Sequence, residues 1–365
     1  MYMESVRRGA ARPTSTPVAV CDPGDADINN AGIVEAVAAL CRGGLVVLPT
    51  ETVYGLAADA RCAEAVRRIF AVKDRPIDHP LIVHIGRANE LDAWAVNIPP
   101  EAFVLATTFW PGPLTLVLRR HPAVLAEVTG GLETVAVRMP DHPVALAVLR
   151  TFGGALAAPS ANRFGRVSPT HATDVVAELG PYLDPALDVV LDGGACAVGL
   201  ESTIVDLTSP VPMILRPGAI TAGQLAAALG EPVAVSPTGP SRAPGMLPAH
   251  YAPDARVEVV SGERLRNRAS VLVSDRCRIA VLCPDHLRVA PEAIVLAAPR
   301  PYDAASLARV LYARLREADR RGAEYLLGVP PDDEHDPVSM AVAVLDRLQR
   351  AQAGSRGIAP SPSEA

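Results

Sequence analysis

The stretch IFAVKDRPIDHPLIVHIG, residues 69–86, changes from a helical pattern to a strand pattern within one short segment. Its first part belongs to CAEAVRRIFAVKDR, a helical run that Pro76 closes, because proline lacks the backbone N–H that a helix interior needs. HPLIVHI then predicts a buried strand. Further apolar runs and helical segments follow one another over residues 26–225, and this mixture predicts an α/β domain.

The same stretch contains the only lysine of the chain, Lys73, although lysine and arginine together number 34. A single lysine on a solvated face would carry no function. However, an ammonium is a compact point charge, whereas a guanidinium is a broad planar fork, so a site shaped for a phosphate oxygen could accept lysine alone. Lys73 by itself leaves both interpretations open, and the polar residues around it decide between them.

The composition is that of a globular chain large enough for two domains. It has 365 residues, 49% of them hydrophobic, and a net charge of −6, which disfavours a general nucleic-acid binder. No apolar run reaches the roughly 18 residues of a membrane span, and MYMESVRRGAARPTSTP lacks the apolar core of a signal peptide. The six cysteines form no C-x-x-C pair, so neither a zinc site nor a disulfide framework is indicated. These features predict a protein of the reducing cytoplasm with no membrane partner.

Proline, glycine and serine mark the predicted segment boundaries. LVVLPT predicts a strand with ETVYGLAADA as a loop at its end, and the segment from GEPVAVSPTGP to HYAPDA predicts a linker. The predicted segments are a flexible N-terminal tail at 1–25, the first α/β domain at 26–225, a Pro/Gly-rich linker carrying HYAP at 226–256, a smaller α/β domain at 257–352 and a disordered tail at 353–365.

Common catalytic signatures are absent from the sequence. No G-x-x-x-x-G-K-[ST] contains Lys73, which excludes a P-loop. Neither a G-x-S-x-G nucleophile elbow nor an H-E-x-x-H metal helix occurs. The sequence therefore offers neither an obvious protein nucleophile nor a dedicated metal helix.

Cationic and hydroxyl side chains instead follow successive apolar runs. Each alone has an ordinary explanation as a surface charge, a helix cap or a turn residue. Their repetition at strand ends, where open α/β sheets bind ligands, predicts a cavity for an anionic ligand such as a nucleotide. These residues are Lys73, Arg75, Arg138, Ser160, Asn162, Ser168, Ser202, Thr203 and Arg216.

Several longer motifs occur in order along the first domain. They are GGLVVLPTETVYGLAADA, KDRPIDHPLIVHI, FWPGPLTLVL, VAVRMPDHP, APSANRFGRVSPTHATDV and GLESTIVDL followed by ILRPGAI. Together they strongly resemble the YrdC-like family, the L-threonylcarbamoyladenylate synthases, and APGMLPAHYAP followed by a smaller domain resembles the long, two-domain form. The resemblance implies an α/β fold with a YrdC-like catalytic domain on a twisted open sheet and a second, smaller Rossmann-like α/β domain.

The resemblance also implies a reaction and its participants. L-threonine, bicarbonate or CO2, and ATP would give threonylcarbamoyl-AMP and pyrophosphate, with Mg2+ arriving on ATP and no metal site supplied by the protein. A downstream threonylcarbamoyl transferase complex would then modify the tRNA adenosine beside the anticodon, which makes tRNA an indirect partner. Because the substrate supplies the nucleophile, catalysis would consist of positioning and charge neutralisation.

The resemblance assigns roles to individual residues. Lys73 and Arg75 would position the phosphates and are the catalytic candidates. Tyr251 of HYAP would fold back over the nucleotide, and Arg138 would pair with the threonine carboxylate. The implied ATP contacts are Lys73, Arg75, His79, Thr134, Ser160, Asn162, Ser168, Arg216 and Tyr251. The implied threonine contacts are Thr50, Thr52, His84, Arg138, Ala158 and Ser202.

Two positions depart from the family pattern, which commonly has glycine in place of Asp74 and asparagine in place of His79. The Asp74 carboxylate either lies between the two phosphate-binding cations or points to solvent. The linker is either a lid over the cavity or a passive spacer. The second domain would anchor that lid, form a dimer or dock the transferase, and the sequence does not choose among these roles.

Two other classes of function compete with the synthase. An RNA-binding module is disfavoured by the acidic net charge and by the 4% aromatic content, because base stacking needs aromatic side chains. A carbamoyl-handling maturation factor would carry acylphosphatase-like and zinc-finger segments, and the sequence contains neither.

Overall fold

The computed structural model of the chain describes residues 16–25, 30–235, 250–331 and 339–355. A mixed sheet with parallel and antiparallel neighbours forms the first domain. Its strands are β1 (Val18–Val20), β2 (Val46–Leu48), β3 (Gly55–Asp59), β4 (Ile82–His84), β5 (Leu114–Arg119), β6 (Thr134–Arg138), β7 (Leu156–Ala157), β8 (Val189–Asp192), β9 (Thr203–Asp206), β10 (Met213–Arg216) and β11 (Ala234–Val235). Their order across the sheet is β1-β8-β2-β3-β7-β4-β6-β5-β9-β10-β11.

Helices follow many of these strands along the chain. In the first domain they are α1 (Ala31–Cys41), α2 (Ala63–Lys73), α3 (Pro100–Phe109), α4 (Ala126–Thr129), α5 (Pro143–Phe152), α6 (Ala172–Leu179) and α7 (Ala222–Leu229). Short 3-10 turns occupy Pro23–Asp25, Ala88–Ala93 and Gly180–Tyr182. Across the described residues, no helix combines the length and the apolar character needed to cross a bilayer.

Alternating side chains of the central strands build a core on each face of the sheet. In β2, Val46 and Leu48 belong to one hydrophobic cluster, which also contains α1 and α5 residues, whereas Val47 belongs to the other. The second cluster contains α2 and α3 residues such as Ile69 and Leu105. A strand that buries both of its faces must be apolar throughout, which explains why LVVLPT contains no alternating polar residue.

The strand register brings chemically useful residues into one row. In β4 and β6, which are parallel, His84 pairs with Arg138. Arg138 also pairs with Thr115 of the antiparallel strand β5. The β2–β3 hairpin, in which Leu48 pairs with Gly55, adds the loop 49–54 next to them. Strand pairing alone therefore brings these motif residues to one edge of the sheet.

The second domain is a smaller α/β unit, as predicted. Its strands are β12 (Arg256–Val259), β13 (Ile279–Leu282), β14 (Ile294–Val295) and β15 (Tyr325–Gly328), and its helices are α8 (Gly262–Ser274), α9 (Ala304–Arg320) and α10 (Ala341–Ser355). All pairings in its sheet, β12-β15-β13-β14, are parallel.

The two domains share a hydrophobic cluster. Val53, Val167 and Leu200 of the first domain belong to the same buried cluster as Leu307 and Leu311 of α9. The burial of such side chains contributes about 25 cal/mol per Å² of apolar surface removed from water. The second domain is therefore packed against the first and is not a separate unit on a tether.

The prediction of a loop throughout ETVYGLAADA was wrong. Its GLAAD part forms β3, which pairs antiparallel with β2 and with β7. Glycine and alanine have low strand propensity, so the local pattern gave no strand signal. Pairing on both sides and burial of Leu56, Ala57 and Ala58 override that propensity.

Part of the predicted N-terminal tail, 1–25, is structured: its described residues, 16–25, contain a strand. Val18–Val20 forms an edge strand that is parallel to β8 and pairs with residues 190–192. A three-residue strand is too short to show a reliable alternation, which is why the sequence gave no such signal. Residues 1–15 lie outside the described part of the chain.

The boundaries near 225 and 352 also shift. A capping box of Thr221 and Gln224 begins α7, and β11 pairs with β10, so the first domain extends beyond 225 to residue 235. The Thr-x-x-Gln pattern was a usable signal for this helix start. Helix α10 continues to Ser355, past the predicted end at 352. Residues 236–249 of the predicted linker and 356–365 of the predicted tail lie outside the described residues.

Candidate active site

A cavity opens at the edge of the first sheet, beside the loop 49–54 and under the described end of the HYAP segment. All six predicted threonine contacts and four of the nine predicted ATP contacts line it, together with several residues that were not predicted. The lining residues are Thr50, Thr52, Val53, Gly55, Arg75, Ile82, His84, Arg138, Ala158, Pro159, Ser160, Glu201, Ser202, Arg216, His250 and Tyr251.

Two of the predicted threonine contacts, Thr50 and Thr52, belong to a network around the Arg138 guanidinium, which is almost fully buried. Arg138 donates from Nη1 to Thr52 Oγ1 at 2.9 Å, from Nη2 to Glu51 Oε1 at 2.6 Å and from Nε to the Gly112 carbonyl at 3.3 Å. Thr50 Oγ1 lies 2.9 Å from Thr52 Oγ1 and thereby extends the network. Because a guanidinium has five N–H donors in a fixed fork, these contacts orient it while leaving donors for a ligand carboxylate.

A second network joins Ser202 to Arg216 on the neighbouring strands. Arg216 donates from Nη2 to Ser202 Oγ at 3.0 Å, and from Nη2 and Nε to the Ser202 carbonyl at 2.9 and 3.0 Å. Ser202 Oγ also lies 2.7 Å from Thr115 Oγ1. Burial lowers the pKa of Arg216, whereas Tyr251 and Glu201 favour its charged form. The cavity thus places a fixed cation beside a hydroxyl group.

Lys73 is at the C-terminal end of α2 and is fully buried. Its Nζ donates to the Ser160 carbonyl at 2.5 Å and to the Asn162 carbonyl. Burial and then the nearby Arg75 lower the pKa of Lys73 well below its usual value, so an anionic phosphate beside it would favour the charged form. Lys73 therefore holds the turn that carries Ser160, one of the cavity-lining residues.

Arg75 lines the cavity and donates from Nη2 to the Pro80 carbonyl at 3.0 Å. Its guanidinium carbon lies 5.7 Å from the centre of the Phe164 ring. Burial lowers the pKa of Arg75 to about 10, which still leaves it charged at neutral pH. Arg75 is therefore a charged group on the cavity wall, and its assignment to the ATP phosphates stays a prediction.

Tyr251 and His250, from the end of the predicted linker, close one side of the cavity. Their rings make an edge contact with centroids 4.2 Å apart. Tyr251 has a positive φ of 60°, is almost fully buried, and its hydroxyl has no hydrogen-bond partner among the described residues. Burial raises the pKa of Tyr251 to about 12, so this hydroxyl remains a donor for a ligand.

Other predicted contacts do not line the cavity directly. The His79 ring packs against Phe164 at 5.2 Å, and Asn162 donates from Nδ2 to the Arg163 and Arg166 carbonyls. Ser168 donates to Glu201 Oε1 at 2.6 Å. Thr134 is half-buried at the start of β6, four residues from Arg138, and the structure does not bring it to the cavity. The assignment of these residues to ATP stays a prediction.

Two buried carboxylates at the site were missed by sequence reasoning. Glu51 lies in PTET and Glu201 in GLEST, and both segments belong to the motifs that carry the family resemblance. No sequence pattern indicates whether a carboxylate in such a motif is buried or exposed. Burial opposes ionisation of Glu201, yet Arg347, Arg216 and the donated hydrogen bonds hold its pKa at about 2. His250 and Val53 were missed because their roles depend on how the domains pack.

Asp74 does not oppose the phosphate site. It follows α2 in a left-handed conformation (φ 53°, ψ 44°), and its exposed carboxylate accepts from Arg163 Nη2 at 2.9 Å. The αL conformation at a helix end favours glycine, and aspartate is among the residues that tolerate it. The glycine common in the family and the aspartate here therefore meet the same backbone requirement.

Substitutions at Asp74 test this explanation. We expect Asp74→Gly to change the free energy of unfolding by less than about 1 kcal/mol, because it relieves the αL position and loses one exposed ion pair. Asp74→Val should lower it by about 1–2 kcal/mol, because a β-branched residue is strained there. Urea titration measures both. A Gly variant that loses ATP affinity while remaining as stable would instead place the carboxylate in the site.

His84 and His250 make the stability depend on pH. Burial and nearby arginines lower the pKa of each from 6.5 to about 3. Below pH 6.5 the unfolded chain binds a proton on each imidazole and the folded chain does not, so stability falls with decreasing pH. We expect each histidine to remove about 2 kcal/mol of unfolding free energy between pH 7 and pH 5.

Urea titrations at pH 7 and pH 5 measure this loss. His84→Gln should reduce the difference in unfolding free energy between pH 7 and pH 5 by about 2 kcal/mol, the contribution of one histidine. His286→Gln, at an exposed position of the second domain, is the matched control and should leave it unchanged. An unchanged pH dependence in His84→Gln would show that His84 is not held neutral in the folded protein.

Two family models match successive parts of the chain. The family model of Sua5, YciO and YrdC proteins, described as "Telomere recombination", matches residues 38–218. The model described as "Threonylcarbamoyl-AMP synthase, C-terminal domain" matches residues 220–353. The two matches adjoin each other and together cover the described part of both domains apart from their outermost residues.

Full-length relatives and solved structures are similar over nearly the whole chain. Threonylcarbamoyl-AMP synthase of Pyrococcus abyssi is 38% identical over 328 residues, covering 85% of this chain and 91% of the relative. The Bacillus subtilis enzyme of the same name is 37% identical over 335 residues, covering 89% and 94%. The P. abyssi Sua5 structure complexed with L-threonine superposes with a TM-score of 0.81 at 34% identity, covering 93% of this chain and 98% of that one. The resemblance seen in the motifs is confirmed: the chain belongs to the threonylcarbamoyl-AMP synthase family, in its two-domain form.

Proposed function

We propose that the chain joins L-threonine, bicarbonate or CO2, and ATP into threonylcarbamoyl-AMP with release of pyrophosphate. The observation that supports this reaction best is the shared cavity, whose wall contains Arg75 and Ser160 together with Arg138, Thr52 and Ser202. All three substrates are small molecules, and ATP is highly anionic. A single pocket with buried cations and hydroxyls is suited to hold them side by side.

The threonine part of the cavity accounts for recognition of an amino acid. Arg138 presents a fork for the carboxylate, and its orientation is fixed by Thr52 and Glu51. The hydroxyls of Thr50, Thr52 and Ser202 are within the same wall and would distinguish threonine from its isostere valine. A site built around such hydroxyls rejects the isostere because its own polar groups are left without partners.

The nucleotide part accounts for the chemistry at phosphorus. The threonine amine takes up CO2 to form a carbamate, whose oxygen attacks the α-phosphorus of ATP while the bond to pyrophosphate breaks. The nucleophile belongs to the substrate, so the protein contributes orientation and neutralisation of charge. Arg75 faces the phosphates, and Lys73 holds the Ser160 turn and supplies a compact positive charge behind it.

Mg2+ would enter with ATP. Among the described residues, no group of three His, Cys, Asp or Glu side chains could hold a metal, and Glu201 already accepts from Ser168, Tyr312 and Arg347. The donor set of the cavity is cationic and hydroxylic, which fits a metal carried on phosphate oxygens with several waters. When bound, the metal would neutralise part of the triphosphate charge; the described residues orient the phosphates around it.

The product would serve a separate threonylcarbamoyl transferase complex that modifies tRNA next to the anticodon. We also propose a cytoplasmic location, since ATP and tRNA are used there. The six cysteines are free thiols in the structure, and a reducing compartment keeps thiols in this form. A lid formed by the linker 226–256 stays a prediction, and residues 236–249 of that linker lie outside the described part of the chain.

Pyrophosphate release tests the proposed reaction. The full chain with ATP, Mg2+, bicarbonate and L-threonine should release pyrophosphate, and omitting either threonine or bicarbonate should stop the release. Valine in place of threonine should support at most a small fraction of the rate. Release that is equal with and without threonine would identify the chain as an ATP-hydrolysing protein of another kind.

A further inference from the structure

Glu201 of the cavity wall is held mainly by the second domain. Its Oε2 accepts from Tyr312 Oη at 2.8 Å, on α9, and from Arg347 Nε at 2.9 Å, on α10. Its Oε1 accepts from Ser168 at 2.6 Å, inside the first domain. Glu201, Tyr312 and Arg347 are all buried, and Arg347 has no exposed surface. Two buried side chains of the second domain therefore reach a residue that lines the cavity.

The same two side chains also hold Tyr251. The Tyr312 ring stacks on the Tyr251 ring with centroids 5.5 Å apart, and the Arg347 guanidinium carbon lies 5.2 Å from the centre of the Tyr251 ring. Arg347 further donates from Nη2 to the Pro217 carbonyl at 3.0 Å, one residue after Arg216. Arg347 therefore also contacts the chain directly after β10, the strand that ends in the cavity residue Arg216.

We propose that Arg347 and Tyr312 are positioning residues for the nucleotide part of the active site. They fix Glu201 and Tyr251, and through Glu201 they orient Ser168, a predicted ATP contact. The second domain is then a structural part of the catalytic centre, in addition to any role in assembly. This inference rests on the proposed function for the identity of the ligand, ATP.

The physical reason is the burial of a charge. A carboxylate removed from water is stable only when its lone pairs are occupied and an opposite charge is near. Arg347 supplies both a donor and that charge, and Tyr312 supplies a second donor. Without them, Glu201 would turn toward Arg216 or draw water into the cavity, and either change would move groups that a nucleotide has to meet.

Graded variants of the full-length chain test the proposal. Tyr312→Phe keeps the stack on Tyr251 and removes only the hydroxyl, and we expect it to weaken ATP binding about threefold to fivefold. Arg347→Met leaves the Glu201 charge without its partner and should weaken ATP binding about 20-fold or more. Arg268→Met is the matched control, because Arg268 pairs with Glu258 at 2.6 Å within the same domain, remote from the cavity residues.

A double variant separates positioning from stability. Glu201→Gln combined with Arg347→Met removes the unpaired charge, so the melting temperature should recover toward that of the wild type. ATP affinity, measured by calorimetry without threonine, should nevertheless stay weakened about tenfold, because the amide lacks the fixed partners that orient Ser168 and Tyr251.

The outcomes are distinguishable. If ATP affinity returns together with the melting temperature, or if folded Tyr312→Phe and Arg347→Met bind ATP as the wild type does, the residues are only structural and the inference is overturned. If the wild-type chain binds ATP without forming product, the proposed reaction fails, while the affinity ratios still decide the positioning role. If the wild-type chain binds no ATP, both proposals fall.

Discussion

Replacing Lys73 by arginine is expected to lower kcat/KM for threonylcarbamoyl-AMP formation about 100-fold. The larger guanidinium would displace the turn that carries Ser160, and a displacement of about 1 Å in a group that positions a ligand is enough for a loss of this size. The Lys73 ammonium is enclosed and bonds two carbonyls at once, at Ser160 and Asn162. A planar fork cannot occupy the same volume with both contacts intact. Both side chains are N–H donors on a long aliphatic stem, so the expected loss reflects chiefly the difference in shape between an ammonium and a guanidinium.

The measurement is steady-state formation of the product, with circular dichroism and a thermal melt to show that the variant remains folded. Arg67→Lys, on an exposed turn of the same helix and paired with Glu127, exchanges the same two side-chain types in the opposite direction and should have no effect. Near-wild-type turnover of Lys73→Arg would mean that the single lysine of the chain is a remnant of codon usage.

Replacing Arg138 by lysine should weaken L-threonine binding about 50-fold, since a charge-assisted fork is worth roughly 2–3 kcal/mol more than a single ammonium contact. In the structure, Arg138 reaches Thr52, Glu51 and Gly112 from three different nitrogens. An ammonium on a flexible stem reaches one or two of them and offers no bidentate face to a carboxylate. The charge next to Glu51 is retained, so the fold should survive.

Titration calorimetry with L-threonine tests this, and ATP affinity in the same variant should change by less than about threefold because Arg138 contacts no predicted phosphate ligand. Arg120→Lys is the matched control: Arg120 also pairs with a glutamate, the exposed Glu133, and the two residues lie just beyond the ends of β5 and β6. An equal loss of threonine and ATP affinity in Arg138→Lys would indicate a general disturbance of the cavity and would contradict the assigned role.

Much of the fold could be predicted because the apolar runs are long and are clearly separated by turn residues such as glycine and proline. Val46–Leu48, Ile82–His84 and the helix ending at Lys73 lie where the pattern placed them. β3 could not be found from propensity, since GLAAD becomes a strand only when β2 and β7 are present on its two sides. Edge strands such as Val18–Val20 are similarly set by their partner.

The candidate site could likewise be predicted only in part. Motif residues such as Arg138, Ser160 and Ser202 converge because strand ends converge, and the sequence could indicate this. The contribution of the second domain could not be predicted, because Arg347 and Tyr312 sit in ordinary amphipathic helices whose facing surface is decided by packing. The contacts of Glu201 with Tyr312 and Arg347 therefore come from a region in which the sequence displayed no convergent polar set.

The central claim is that this cavity joins a threonine carbamate to AMP. Mass spectrometry of the reaction mixture with 13C-labelled bicarbonate, L-threonine, ATP and Mg2+ tests it most directly. We predict an adduct of the mass of threonylcarbamoyl-AMP that gains one mass unit from the label, appears together with pyrophosphate, and is missing without threonine. If ATP binds but no labelled adduct forms with threonine, the assignment of the cavity to this reaction is wrong.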